Sequence, residues 1–298
     1  MAILSIAICT YNRPELLEIC LSSVVQLIQD GIEIVVIDNG TEKVKKVVDK
    51  FPDVNYVIES NTGLSFARNK AIEVAKGDWI LYLDDDAKVD DQFVSLALLH
   101  CKEQHLVFGG VFLPWYHFGR PKWYKDEYGS NKQSYTKPGI LPPNEYLCGG
   151  VIAIHKSVFN KVGMFQTELG MIGTQVGYAE ETELQDRIRN SGIDCIYDDK
   201  LIIYHVVAPY KLNVEWFLKS YRNLGIDMAK YQKGNKLINL FVQAIIAFFL
   251  TLKDGVFYGY KLVSDKDYYK ENWQIDALKK WYKRIGYVQQ TIRMIVGR

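Results

Sequence analysis

The sequence predicts an α/β protein built on a doubly wound, mostly parallel sheet. Strand-like and helix-like patterns alternate four times before Asp84, the signature of successive βα units. The first strand-like run, Ile3 to Cys9, is continuously apolar apart from Ser5, as a strand covered on both faces should be. Each run also ends in polar residues, and in sheets of this class ligands bind beyond the carboxyl ends of the strands.

Ile3 to Cys9 is the first apolar run, followed by Thr10-Tyr11-Asn12-Arg13-Pro14. Asn12 fits a helix N-cap and Pro14 its first turn. Leu17, Cys20, Leu21, Val24 and Ile28 then recur at helical spacing, and Gly31 ends the helix. Residues 32–37 read as the second strand, with Asp38-Asn39-Gly40 turning out of it. A charged helix over 42–50 leads to a third strand, 54–58. After Ser60-Asn61-Thr62-Gly63 comes a helix that turns Leu64, Ala67, Ala71 and Val74 inward. Gly77 breaks it, and Trp79 to Leu83 form the fourth strand, stopped by Asp84-Asp85-Asp86.

Three adjacent carboxylates repel one another and are expensive to bury. A divalent cation that itself holds a phosphate-bearing substrate accounts for them, and a solvated acidic turn is the plain alternative. Beyond them, 93–99 reads as a helix and 106–112 as a strand. Residues 114–143 have no periodicity and carry Trp115, Tyr116, Trp123 and Tyr124. A loop of that length is expected to face substrate or to run over the surface.

Composition narrows the function classes. With 298 residues and 48% hydrophobic content the chain can build a large core, and a net charge of +1 gives no footprint for nucleic acid. The five cysteines show no CxxC pair, and Cys9, Cys20 and Cys101 fall in apolar patterns, which fits a reduced cytoplasm. The apolar start lacks a basic n-region and reads as a strand rather than a signal peptide. No GxxxxGK[ST], GxGxxG, HExxH or GxSxG motif occurs.

Taken together, Thr10 to Pro14, Val35-Val36-Ile37-Asp38-Asn39-Gly40, Asn61 to Asn69, Leu83 to Asp86, Cys148-Gly149-Gly150-Val151, Val162 to Phe165 and Ala179 to Leu184 resemble the family 2 glycosyltransferases. The resemblance covers about the first 210 residues. It implies a GT-A catalytic domain over 1–210, with a Rossmann-like nucleotide-sugar half (1–112) and an acceptor half (113–210). It implies an inverting enzyme that uses Mn²⁺ or Mg²⁺ and a nucleotide-sugar donor, UDP-sugars foremost. The acceptor would be a glycan or a lipid-linked oligosaccharide in surface polysaccharide synthesis.

By position in the motifs, Thr10, Tyr11, Arg13, Asn61 and Gly63 would border the donor, and Asp38 would accept a hydrogen bond from the base. Arg68 would face the diphosphate or ribose. Asp86 would ligate metal in the DxD pattern, with Asp84 nearer ribose and Asp85 beside them. Gly149 and Gly150 would let backbone approach the donor sugar or the acceptor, with Trp115 on the acceptor side. Glu181 would be the general base, where the family more often has Asp, with Glu180 the alternative. On a helix Glu181 points closer to the Leu184/Ile188 direction than Glu180 does. Glu183 and Arg187 are spaced as a solvated ion pair. His205, just past an apolar run, is either a third metal ligand or a structural histidine. Arg222 either reaches the pyrophosphate or lies on the surface.

Residues 211–298 read as a helical extension. Leu237 to Leu252 is markedly apolar, yet at 16 residues it is short for a membrane span. Residues 253–298 hold ten Lys or Arg and five Asp or Glu, a net of +5. Docking on an anionic cytoplasmic membrane, a homodimer contact and packing on the chain's own domain all fit this pattern. Two rival functions stand beside the transferase. A nucleotidyltransferase should carry a Gly-rich, basic loop after the first strand, which Thr10 to Pro14 is not. A non-catalytic sugar- or nucleotide-binding module needs no base.

Overall fold

A computed structural model describes residues 3–173, 177, 179–231 and 236–296. In chain order the elements are β1 (Leu4–Thr10), α1 (Pro14–Val25), β2 (Ile32–Asp38), α2 (Lys45–Val48), β3 (Val54–Ile58), α3 (Leu64–Val74), β4 (Trp79–Asp84), β5 (Ala87–Val89) and α4 (Phe93–Lys102). They continue with β6 (Val107–Trp115), β7 (Gly139–Ile140), β8 (Val151–His155), α5 (Lys156–Val162), α6 (Glu180–Asn190), β9 (Ile196–Val206), α7 (Val214–Tyr231), α8 (Lys236–Ser264) and α9 (Lys270–Val296).

The sheet runs β3-β2-β1-β4-β8-β6-β9-β5, with β7 added on β9. β3, β2, β1 and β4 are parallel throughout, which is why their ends reach one edge together. β8 runs against both β4 and β6, and β6 is parallel to β9. Side chains of alternate parity feed two cores. Leu4, Ile6 and Ile8 pack with α1 and α4 on one face, while Ala7, Val35 and Ile37 pack with α3, α5 and α6 on the other. The helix expected over 42–50 shrinks to the single turn α2, because Glu42 opens it at φ +57° and Pro52 closes it.

The chain divides into two compact units: residues 1–115, 126–174 and 180–206 in one, and 116–125, 175–179 and 207–298 in the other. The aromatic stretch expected to face substrate is therefore split. Tyr124 is buried in the second unit against Phe217, and Asn272 donates to the Trp123 carbonyl at 2.6 Å. In that unit α7 and α9 approach backbone to backbone. A Cβ on Gly225 would lie 1.8 Å from the Lys283 carbonyl, and one on Gly286 would lie 1.9 Å from that of Arg222. The Arg222 Nε donates to Gln289 at 2.9 Å, which pairs α7 with α9.

Candidate active site

The parallel register fixes the first row of the site. Cys9 of β1 lies opposite Asp84 of β4, and Thr10 lies opposite Asp38 of β2, so one sheet edge carries all three polar ends. The acidic triplet then splits by side. Asp85 turns inward at 0% exposure, where the Thr10 hydroxyl is buried beside it and Arg13 Nη2 stands 2.6 Å away. Burial pushes the Asp85 carboxyl up to about 6, against the pull of Arg13. Asp85 thus anchors Arg13 from beneath.

Asp84 and Asp86 turn the other way and meet His205. The Asp86 Oδ2 accepts from Arg13 Nη1 at 2.9 Å, while its Oδ1 is 3.0 Å from His205 Nε2. Asp84 Oδ2 is 3.6 Å from the same nitrogen. β9 delivers the histidine: Ala87 of β5 pairs with His205, and Val206 N donates to the Asp86 carbonyl at 2.8 Å. Burial pushes the Asp84 carboxyl up, but the hydrogen bond and charge of His205 outweigh it and hold the group below its ordinary value. One ligand atom from each of the three residues lies within 4.8 Å of the others. When His205 Nδ1–H donates to the Val206 carbonyl, 3.0 Å away, Nε2 keeps its lone pair toward the carboxylates. Two carboxylate oxygens and one imidazole converging in this way are a donor set that suits Mn²⁺ and tolerates Mg²⁺.

The turn before β8 joins this cluster to a second one. A Cβ on Gly150 would lie 2.1 Å from Asp84 Oδ2, and one on Gly149 would lie 2.5 Å from an Arg68 Nη. These glycines admit the side chains of Asp84 and Arg68. Gly150→Ala is accordingly expected to displace the Asp84 carboxylate. Titration should then show Mn²⁺ binding at this cluster weakened by at least about tenfold, with the melting temperature lowered by only a few degrees.

Arg68 is 4% exposed, lies between the rings of Tyr82 and Phe165, and donates to Glu180 Oε1 at 2.8 Å. Its guanidinium supports the acidic start of α6. Glu180 is the buried member of its pair and Glu181 the half-buried one, the reverse of the helical-wheel expectation. The reason is tertiary: α6 begins against α3 and the Gly170 turn, so its first residue is the one covered. Burial, followed by the charge of Glu181, pushes the Glu180 carboxyl up to about 8 despite Arg68. With both carboxyls ionised, each would keep a buried Oε2 without a donor; a proton on Glu180 relieves this.

Glu183 and Arg187 do form an ion pair, but a partly buried one. Arg187 donates to both Glu183 oxygens at 2.8 Å and also to the carbonyls of Val162 and Met164, tying α6 to the end of α5.

The strand ends beyond Thr10 form a polar hollow. Asp38 is 1% exposed and accepts from Gly40 N at 2.8 Å and from Tyr56 Oη at 2.7 Å. Asn39 bridges the next loop, accepting from Gly63 N and donating to the Asn61 carbonyl, both at 2.7 Å. Asn61 lies exposed at the rim. Asn12 does not cap α1: held at φ +55°, it accepts from both the backbone and the hydroxyl of Thr41 at 2.9 Å. Tyr11 sits below Gly173, in a turn whose Leu169 and Met171 carbonyls accept from Ser65 Oγ and Leu64 N at the start of α3. At the end of β6, Trp115 stacks under Lys88 Nζ, 4.6 Å from the ring centroid, one register step from the Pro114–His205 pair. The sequence reading missed Tyr56, Asn39 and this turn. Only the glycines at 170 and 173, both with positive φ, mark the turn locally.

The family model for glycosyl transferase family 2 matches residues 5–163. A glucosyl-dolichyl phosphate glucuronosyltransferase of Haloferax volcanii is 26% identical over 229 residues, 72% of each chain. The succinoglycan biosynthesis protein ExoM of Rhizobium meliloti is 24% identical over 230 residues, 72% of this chain and 71% of its own. Among solved structures, the mannosyltransferase PcManGT from Pyrobaculum calidifontis, in complex with GDP-Man and Mn²⁺, superposes with a TM-score of 0.62 at 17% identity, over 95% of this chain and 86% of that one. GalNAc-T7 with UDP, GalNAc and Mn²⁺ follows at 0.54 and 18%, over 76% and 48%.

Proposed function

From the premise that this chain belongs to glycosyltransferase family 2 and has its GT-A fold, we propose that it is an inverting, metal-dependent enzyme that moves a sugar from a nucleoside-diphosphate donor to an acceptor hydroxyl. One observation carries this reading: a metal-type cluster (Asp84, Asp86, His205) and a carboxylate pair (Glu180, Glu181) stand on either side of the Gly149-Gly150 turn, joined through Arg68. A binding module has no use for the second cluster, and a nucleotidyltransferase would need a basic loop where Thr10 to Pro14 lie.

Asp38 orients the base. Each of its oxygens already accepts one hydrogen bond and retains a lone pair for an N–H of the base, uracil being favoured. Thr10, Tyr11, Asn61 and Gly63 border the nucleoside. Asp84, Asp86 and His205 would hold Mn²⁺ or Mg²⁺, which when bound offsets the charge growing on the leaving diphosphate. Arg13 fixes Asp86 in orientation from the far side. Glu181, the half-buried member of the pair, takes the proton of the attacking hydroxyl, while Glu180 holds a proton and Arg68 fixes its position. In-line attack from the opposite face inverts the anomeric centre without a covalent intermediate.

The test is thermal shift of the pure protein against UDP, GDP and dTDP, with and without Mn²⁺. A nucleotide at about 100 times its dissociation constant adds roughly 2.7 kcal/mol. Stabilisation by UDP only with metal is expected. A preference for GDP would change the donor, and no response to any nucleotide would remove the reading.

The acceptor we favour is lipid-linked, met at the inner face of the cytoplasmic membrane. α8 supports this: Val242, Ile245, Phe249, Leu252, Val256 and Val263 recur along one face at helical spacing and are exposed, with Val263 at 89%. No helix among the described residues is long and apolar enough to cross a membrane. Half of the Leu237–Leu252 side chains lie outside the described residues. The protein is expected to sediment with anionic phosphatidylglycerol vesicles and not with neutral ones. A concentration-dependent dimer that ignores vesicles would assign the face to a second copy.

A further inference from the structure

The end of α4 carries a group of side chains the transfer reaction does not use. The helix closes in a Schellman arrangement: Gln104 N donates to the Cys101 carbonyl and His105 N to the His100 carbonyl, both at 3.1 Å, with Gln104 at φ +59°. Such a closure sets the side chains of its first and last residues against each other, and an apolar pair normally fills that contact. Here the two positions are His100 and His105, and their Nδ1 atoms face each other at 2.8 Å. Glu103, at the helix cap, adds a carboxylate oxygen 3.6 Å from His105 Nδ1. A ligand atom from each of the three lies within 4.8 Å of the others.

The surroundings of His100 are those of an oriented metal ligand. Its Nε2 is 3.0 Å from Asp198 Oδ2 on β9, and its ring stacks on Phe108 at 4.6 Å. A carboxylate on the outer nitrogen fixes the tautomer and leaves Nδ1 as the lone-pair donor. His105 is anchored through its carbonyl, which accepts from Trp79 Nε1 at 2.9 Å. Glu103 and His105 leave the mouth open, with side chains 52% and 32% exposed, so an ion can enter and keep a water in a fourth position.

From this geometry we propose a second metal site, separate from the aspartate cluster, in which His100 Nδ1, His105 Nδ1 and the Glu103 carboxylate bind Zn²⁺ while Asp198 positions His100. Two imidazoles and one carboxylate favour zinc over magnesium or calcium. The ion would tie α4 to the start of β6, and through Asp198 to β9, as a structural staple. The competing arrangement is a metal-free one in which His105 Nδ1–H donates to His100 and His100 Nε2–H donates to Asp198.

The probe is Zn²⁺ itself, titrated into chelator-stripped full-length protein against a chromophoric competitor, with Co²⁺ absorption reporting coordination. A zinc-binding event that survives Asp86→Asn is expected. It should weaken by about 100-fold or more in His105→Ala and Glu103→Ala, and by roughly 10- to 100-fold in Asp198→Asn. Glu103 is exposed, so its variant carries the test if His105→Ala fails to fold. Zinc binding as tight in both variants as in the wild type, or lost only with Asp86→Asn, would overturn the site in favour of the metal-free network.

Discussion

Asp86→Ala is expected to lower kcat/KM by about three orders of magnitude and to remove the effect of Mn²⁺ on nucleotide binding. The residue is 5% exposed and each oxygen has its own task, Oδ2 with Arg13 at 2.9 Å and Oδ1 toward His205 at 3.0 Å. Three orders of magnitude correspond to about 4 kcal/mol, within what a held cation contributes to a developing diphosphate charge. Folding should survive, because Arg13 keeps Asp85 at 2.6 Å and is itself half exposed. Asp86→Asn, which keeps the shape and loses the charge, should be nearly as inactive. Initial rates over a Mn²⁺ titration decide the matter: a variant that still saturates with metal at the wild-type concentration would exclude Asp86 as a ligand.

Glu181→Gln should reduce kcat by about 10²- to 10⁴-fold, the range of a lost general base, with donor binding unchanged. Its neighbour supplies the control. Glu180→Gln keeps a hydrogen-bonding neutral group against Arg68 and should retain most of the turnover; the opposite pattern in the two variants would transfer the base role to Glu180. The control has a second readout. Because the folded-state value of Glu180 is raised from 4.5 to about 8, the stability contributed by its proton is fully present below pH 4.5 and is lost as pH rises through 8. Melting temperature should therefore fall across that window in the wild type, and the fall should flatten in Glu180→Gln. An equal fall in both proteins would mean that another group holds the proton.

Much of this was legible in the chain because it is local. The strand-like runs 3–9, 32–37, 54–58 and 79–83, each followed by a turn and the first three by a helical segment, dictate a parallel sheet. Such a sheet brings Thr10, Asp38 and Asp84 to one edge whatever happens elsewhere. The same locality is silent where a residue's partner is distant. The resemblance implies that Arg68 faces the diphosphate or ribose, and nothing near it in sequence shows that Glu180, 112 residues on, pairs with it. The helical wheel ranked Glu181 inward because a wheel does not include the Gly170 turn.

The sequence by itself determined the fold class, the order of the polar strand ends, and an acidic triplet that calls for a positive partner. The tertiary structure decided which carboxylates of that triplet share a side with His205, which glutamate is buried, and that Tyr124 belongs to a core. It also decided that the end of α4 joins two histidines. The physical reason is one of range: periodicity and turn chemistry act over a few residues, whereas the burial and pairing of a charge depend on groups brought close only when the whole sheet has formed.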